Sequence, residues 1–224
     1  GEVFAFSFVY SGNFVATAEV DQFFNTRVSM GLNPFDFSWK LEAGATFQTP
    51  EVVMVYSSKG IGEMSRTYHR LYRTRLARGV YRDKVRPILV NNWEATYFNF
   101  NEKKLEEIVK VASELGIELF VLDDGWFGKR DDDTTSLGDW FEDRRKLPNG
   151  LEGLAKKVNQ YGLKFGLWVE PEMISPESKL YKKHPDWCLH VKGRRRTLAR
   201  TQLILDLSRK EVREYIINVL SDIF

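Results

Sequence analysis

Cysteine occurs once in the 224 residues, at Cys188, which excludes an internal disulfide and the small disulfide-stapled scaffolds that depend on one. A run of about 18 apolar residues is missing, as is a signal-peptide pattern, so the expectation is a soluble, cytoplasmic protein with no membrane partner. Charge of one sign is not in excess either. Thirty-three basic residues against thirty-one acidic ones leave a formal charge of +2, too balanced for a nucleic-acid partner. Phosphate-cradling GxxxxGK[ST] and GxGxxG loops do not occur, nor does the GxSxG turn that presents a nucleophilic serine. His69, His184 and His190 form no ligand pattern, and Asp131-Asp132-Asp133 lacks the spacing of a calcium loop, so no metal is expected. The chemistry must come from other side chains.

What the chain does have is apolar and aromatic bulk: 43% hydrophobic residues, with sixteen Phe, nine Tyr and six Trp. That suffices for a sizeable core and also supplies flat faces for ligands. Residues 1 to about 56 carry runs such as Phe14 to Val20 separated by turn signals at Ser11-Gly12-Asn13, Asn33-Pro34 and Glu42-Ala43-Gly44, which reads as antiparallel β material from the end of a sandwich. Met64, Tyr68, Leu71, Tyr72 and Leu76 then fall at helical spacing. The arginines between them read as the wet side of a connecting helix from Gly62 to Leu76. From Arg86 onward strands and helices alternate, the signature of α/β architecture. Strands are expected over Arg86–Trp93, Ile117–Asp124 and Leu163–Val169, with an extended segment over Thr201–Leu207. A helix opens at Asn101 and ends at Gly116, another runs from about Leu151 to Tyr161, and Ser208-Arg209-Lys210-Glu211 resembles a capping box opening a last helix. The segment Gly128 to Pro148 is long for a loop in a compact domain.

Three strand ends share one chemistry. Trp93 and Glu94 close the first, Asp123 and Asp124 the second, and Trp168, Glu170 and Glu172 the third. Ionised carboxylates are costly to bury, so they belong at the carboxyl mouth of a parallel sheet, where α/β folds gather ligands. Acids accept paired hydrogen bonds from neighbouring hydroxyls and indoles offer apolar faces, a combination that suits a sugar ring. Each Trp taken singly also reads as core. Adjacent residues on a strand point to opposite faces, so Asp123 and Asp124 read as substrate holders rather than as a pair facing each other across a glycosidic bond. Neither Glu170 nor Glu172 is an obvious second partner.

The segments Asn92-Trp93-Glu94-Ala95-Thr96-Tyr97-Phe98, Leu122-Asp123-Asp124-Gly125-Trp126-Phe127-Gly128, Trp168-Val169-Glu170-Pro171-Glu172-Met173 and Leu205-Asp206-Leu207-Ser208 closely resemble the family 36 α-galactosidases. Upstream, Asn33 to Trp39 and Phe47 to Glu51 resemble the end of that family's N-terminal β-supersandwich. The resemblance implies residues 1–58 as that end, 59–85 as connecting helix and linker, and 86–224 as the first half of a (β/α)8 catalytic barrel. It also implies a retaining hydrolase that releases terminal α-linked galactose from oligosaccharides such as melibiose and raffinose, without a cofactor, in a protein expected to be a homo-oligomer. By motif, Asp123 and Asp124 would hold galactose hydroxyls, Trp93 and Trp168 would wall the pocket, and Arg200 would contact the sugar. The family usually reads Gly-Arg-Asn-Gln where this chain reads Ala199-Arg200-Thr201-Gln202, a departure that removes an amide. The family's Lys-Trp-Asp nucleophile motif and its acid/base Asp are expected beyond Phe224. The alternatives are a non-catalytic galactose-binding module, or a relative acting on α-N-acetylgalactosamine or transferring galactose.

Overall fold

Alternating apolar residues in the first 57 positions build two antiparallel pairs. Strand β1 (Val3–Val9) pairs with β4 (Glu51–Ser57), with Phe6 opposite Met54, and β2 (Phe14–Val20) pairs with β3 (Thr26–Leu32), with Thr17 opposite Ser29. Helix α1 (Gly60–Leu71) follows. Its buried Tyr68 donates a hydrogen bond from its hydroxyl to the Val53 carbonyl at 2.9 Å, which fastens the helix to β4. The expected single helix to Leu76 is corrected here: α1 stops at Leu71, and Tyr72–Leu76 winds on as a π-helical turn closed by Ala77 N–H to the Tyr72 carbonyl at 2.7 Å. Arg66 and Arg70 both reach Glu63, at 2.9 and 3.0 Å, so these two arginines stay on the solvated side of the helix. The computed structural model describes residues 1–196 and 198–224. It divides them into two units, Gly1–Val85 and Arg86–Phe224.

The second unit runs β5 (Leu89–Asn91), α2 (Trp93–Thr96), α3 (Glu102–Glu114), β6 (Leu119–Leu122), α4 (Gly150–Gln160), β7 (Lys164–Leu167), β8 (Met173–Ile174), α5 (Lys179–Lys183), β9 (Leu203–Ile204) and α6 (Lys210–Ile223). Strands β5, β6 and β7 form a parallel sheet with β6 in the middle. Phe120 and Leu122 on β6 are fully buried, as an interior strand of a helix-covered sheet requires. Leu105, Val109 and Ala112, spaced to share one face of α3, are buried with them, and so are Leu154 and Val158 of α4. Asn101 caps α3 by accepting the Lys104 N–H at 3.0 Å. Gly116 ends the turn after it with φ +79°, a conformation that suits glycine.

Each predicted strand is trimmed. The first ends at Asn91 and not at Trp93, because the Asn91 side chain accepts the Trp93 N–H at 2.7 Å and turns the chain into α2. Met173–Ile174 pairs antiparallel with Leu203–Ile204 in a separate ribbon, so the extended segment predicted over Thr201–Leu207 shrinks to two residues. The expected capping box at Ser208 does not form. Asp206 accepts both the Ser208 N–H, at 3.1 Å, and the Ser208 hydroxyl, at 2.6 Å, leaving α6 with no side-chain cap at Arg209.

Candidate active site

The sheet register sets the three motif-bearing tips level. Asn91 lies opposite Val121, and two residues further along stand Trp93 and Asp123. Leu122 lies opposite Leu167, and one residue further stand Asp123 and Trp168. The structure therefore brings Asp123 and Trp168 level just past the carboxyl ends of β6 and β7, while Trp93 opens α2 immediately after the end of the neighbouring β5. Cross-strand bonds hold the β5 and β6 tips together. Asn92, fully buried, accepts the Asp123 N–H at 2.8 Å, while the Asn91 amide donates to Asp123 Oδ2. Asp123 Oδ1 in turn accepts the Asp124 N–H at 2.7 Å. Asp123 is thus a half-buried carboxylate whose direction is fixed by the tip of β5.

Asp124 points into a different environment. It is buried and forms a side-on pair with Arg130, whose Nε donates to Oδ1 at 2.6 Å and whose Nη2 donates to Oδ2 at 2.8 Å. Arg130 is only 1% exposed, an environment in which a guanidinium needs a charged partner. Its remaining Nη1 donates to the Thr135 carbonyl at 2.6 Å, and the rings of Phe98 and Phe127 each lie 5.6 Å from its central carbon. Phe98 meets Trp93 edge to face at 5.1 Å, and Phe127 stacks towards Trp168 with 6.3 Å between centroids and 12° between planes. The two candidate indoles are therefore linked through Phe98, the Arg130 guanidinium and Phe127, a set of cation–π contacts that favours Arg over Lys. Gly125 makes the approach possible. Its φ is +99°, and a Cβ there would meet Phe98, Phe100 and the Arg130 carbonyl at 3.1 to 3.4 Å.

The long segment after this tip is ordered by its own bonds. Phe127 bridges to Glu142, Gly128 N–H donates to the Phe141 carbonyl and Asp143 N–H to the Trp126 carbonyl, both at 2.7 Å. Lys146 donates to the Gly125 and Arg130 carbonyls at 2.9 and 2.7 Å. Asp139 accepts the N–H groups of Lys179 and Leu180 at 3.0 Å, capping α5. Trp126 is completely buried, and its indole N–H donates to the Trp168 carbonyl at 2.9 Å, tying the loop to the tip of β7.

Arg200 reaches the same neighbourhood from a separate hairpin. Ala199 and Gln202 exchange backbone hydrogen bonds at 3.1 and 2.9 Å, leaving Arg200 and Thr201 at the turn with φ +50° and +63°. Two left-handed residues at a two-residue turn are ordinarily Asn or Gly, so a β-branched Thr at the second is strained. Arg200 pairs with Glu170 at 2.9 Å and stays 65% exposed at its side chain. Burial pushes the Glu170 carboxyl above the usual carboxylate range. Arg200 opposes that rise, Glu172 adds to it, Arg130 opposes it and Asp124 adds to it. Four charged residues, Asp124, Arg130, Glu172 and Arg200, thus act on the Glu170 carboxyl. Glu170 Oε2 and the side-chain amide of Gln202 are buried without a hydrogen-bond partner among the described residues.

Sequence reasoning missed Arg130, Asn91 and Asn92. The paired asparagines ahead of Trp93 carried a readable signal, since Asn readily turns a chain through its own side chain. Arg130, one of many loop arginines, carried none.

Residues 46–224 match the Melibiase family model and residues 1–42 match that of the glycosyl hydrolase family 36 N-terminal domain. Alpha-galactosidase AgaA of Geobacillus stearothermophilus is 69% identical over 223 residues, which cover 100% of this chain and 31% of that protein. Alpha-galactosidase 1 of Pediococcus pentosaceus is 54% identical, covering 100% and 30%. The crystal structure of AgaA superposes with a TM-score of 0.96 at 68% identity, covering 100% of this chain and 31% of that one. A substituted AgaA in complex with raffinose gives 0.95 at 68% identity, covering 99% and 31%. The chain spans about a third of the length of these relatives. On the match of most of its residues to one family model, the chain belongs to the Melibiase family, with the N-terminal domain signature of glycoside hydrolase family 36.

Proposed function

We propose that the protein is a retaining glycoside hydrolase that releases terminal α-linked galactose from oligosaccharides of the melibiose and raffinose type, and that this chain is its substrate-binding portion. In this reading Trp93 and Trp168 wall the galactosyl pocket, Asp123 and Asp124 accept hydrogen bonds from its hydroxyls, and Arg200 reaches over it from the hairpin. The observation that carries the reading is that Trp93, Asp123, Asp124 and Trp168 all follow the carboxyl ends of three neighbouring parallel strands, with Trp93 joined to Trp168 through Phe98, Arg130 and Phe127. Membership of the Melibiase family and the raffinose complex of a close relative support it. Residues 86–224 then serve as the first half of a (β/α)8 barrel, 59–85 as connecting helix and linker, and 1–58 as the closing strands of a sandwich. Adjacent carboxylates cannot flank an anomeric carbon at the roughly 5 Å of a retaining couple, so the nucleophile and the acid/base lie outside the residues assigned here.

The full-length protein is expected to release p-nitrophenol from p-nitrophenyl α-galactoside and not from the β-anomer, while residues 1–224 expressed alone are expected to release none. A colorimetric assay of both proteins decides. Turnover by the 224-residue chain, or a full-length protein inert towards every α-galactoside, would overturn the proposal.

A further inference from the structure

We propose that Arg130 is a positioning residue for substrate recognition: it clamps Asp124 so that one lone pair on each carboxylate oxygen stays turned towards two hydroxyls of the bound sugar. This rests on the reading of Asp124 as a hydroxyl-holding carboxylate. An ionised carboxylate offers about four acceptor positions. The side-on pair at 2.6 and 2.8 Å takes one from each oxygen and leaves one on each, set by the plane of the guanidinium. That plane is held on several sides. Phe98 and Phe127 pack at 5.6 Å, and the third contact, to the Thr135 carbonyl at 2.6 Å, fixes the remaining edge.

Stability alone does not account for the arrangement. A buried ion pair is weak evidence for stability, because well-packed apolar residues of similar volume often serve as well or better. Orientation accounts for it directly, since a planar fork fixes both position and angle of a carboxylate while an ammonium fixes neither. The guanidinium also lies against the two rings that contact Trp93 and Trp168. The clamp that sets the acceptor thus sets the walls as well, and the segment Gly128 to Pro148 acts as a fixed buttress.

The test pairs variants with substrates in the full-length protein. Arg130→Lys, Phe98→Leu and Asp124→Asn are assayed on p-nitrophenyl α-galactoside and on analogues each lacking one hydroxyl. A hydrogen bond to a charged group corresponds to about a 10- to 100-fold effect, so deleting a hydroxyl held by Asp124 is expected to lower wild-type kcat/KM by that factor. Arg130→Lys is expected to raise KM about tenfold or more and to shrink that penalty to under about threefold, leaving penalties at other positions unchanged. Phe98→Leu keeps the ion pair and guards against a misfolded Arg130→Lys. It is expected to show the same selective loss at smaller size. An equal response to every analogue in the folded variants marks a structural role and overturns the clamp. If Asp124→Asn abolishes the discrimination while Arg130→Lys and Phe98→Leu retain it, the clamp fails and the reading of Asp124 stands. If Asp124→Asn itself keeps wild-type discrimination, the reading of Asp124 fails and the clamp falls with it.

Discussion

Asp124→Asn in the full-length protein is expected to lower kcat/KM for α-galactosides by about a hundred- to ten-thousand-fold and to destabilise the fold by about 3–5 kcal/mol. Two separate causes lie behind the two numbers. An ionised acceptor gripping two hydroxyls contributes about 1.5–3 kcal/mol for each hydrogen bond, and an amide cannot accept on both atoms. The stability loss arises because Arg130, 1% exposed, would keep its charge with no carboxylate beside it, the costly half of a broken buried pair. Kinetics at a temperature where wild type and variant are both folded, with melting curves recorded in parallel, separates the effects. Wild-type kinetics in a destabilised protein would leave Asp124 a structural residue and remove it from the pocket.

Trp126→Ala is expected to be the most damaging single truncation in the second unit. The indole is fully buried, lies 5.2 Å from the Phe127 ring and 6.1 Å from that of Trp140, and donates to the Trp168 carbonyl at 2.9 Å. Removing a buried aromatic of this size costs about 3–5 kcal/mol through lost transfer and the cavity left behind. The orphaned carbonyl at the β7 tip adds to that. The expected result is a melting temperature lowered by several degrees, accompanied by a raised KM because the support behind Trp168 is gone. Calorimetry checks the first and steady-state kinetics the second. A fall of under about 2 °C would mean that the loop between Gly128 and Pro148 does not depend on this anchor.

The sheet and its tips were legible because their signals are local. Phe120, Val121 and Leu122 followed by two aspartates form an apolar run cut off by charge, and burial versus solvation alone decides which part is strand and which is rim. Asn101 and Gly116 marked the ends of α3 for equally local reasons, a side-chain cap and a left-handed φ. Where a competing local bond existed, the pattern misled. Ser208 looked like a cap until Asp206, two residues earlier, took both its N–H and its hydroxyl. Trp93 looked like the end of a strand until the Asn91 side chain turned the chain early.

The rest of the candidate site was hidden because it is built from contacts between segments distant in sequence. Nothing in Lys129-Arg130-Asp131 marks the middle residue as the buried one. Its environment comes from Phe98, some thirty positions upstream, and from Asp124 at the tip of another element. The pairing of Arg200 with Glu170 and the positive φ of Thr201 are likewise products of a hairpin whose closure brings Ala199 onto Gln202. Strand mouths announce themselves in sequence; the supports that aim their side chains do not.

The most direct measurement is a crystal structure of the full-length protein with galactose bound. The account predicts one sugar ring walled by Trp93 and Trp168, its hydroxyls within hydrogen-bond distance of Asp123 and of the two free edges of Asp124, with Arg130 unmoved beneath. Galactose seated away from the tips of the three strands, or an Asp124 that makes no contact with it, would contradict the account.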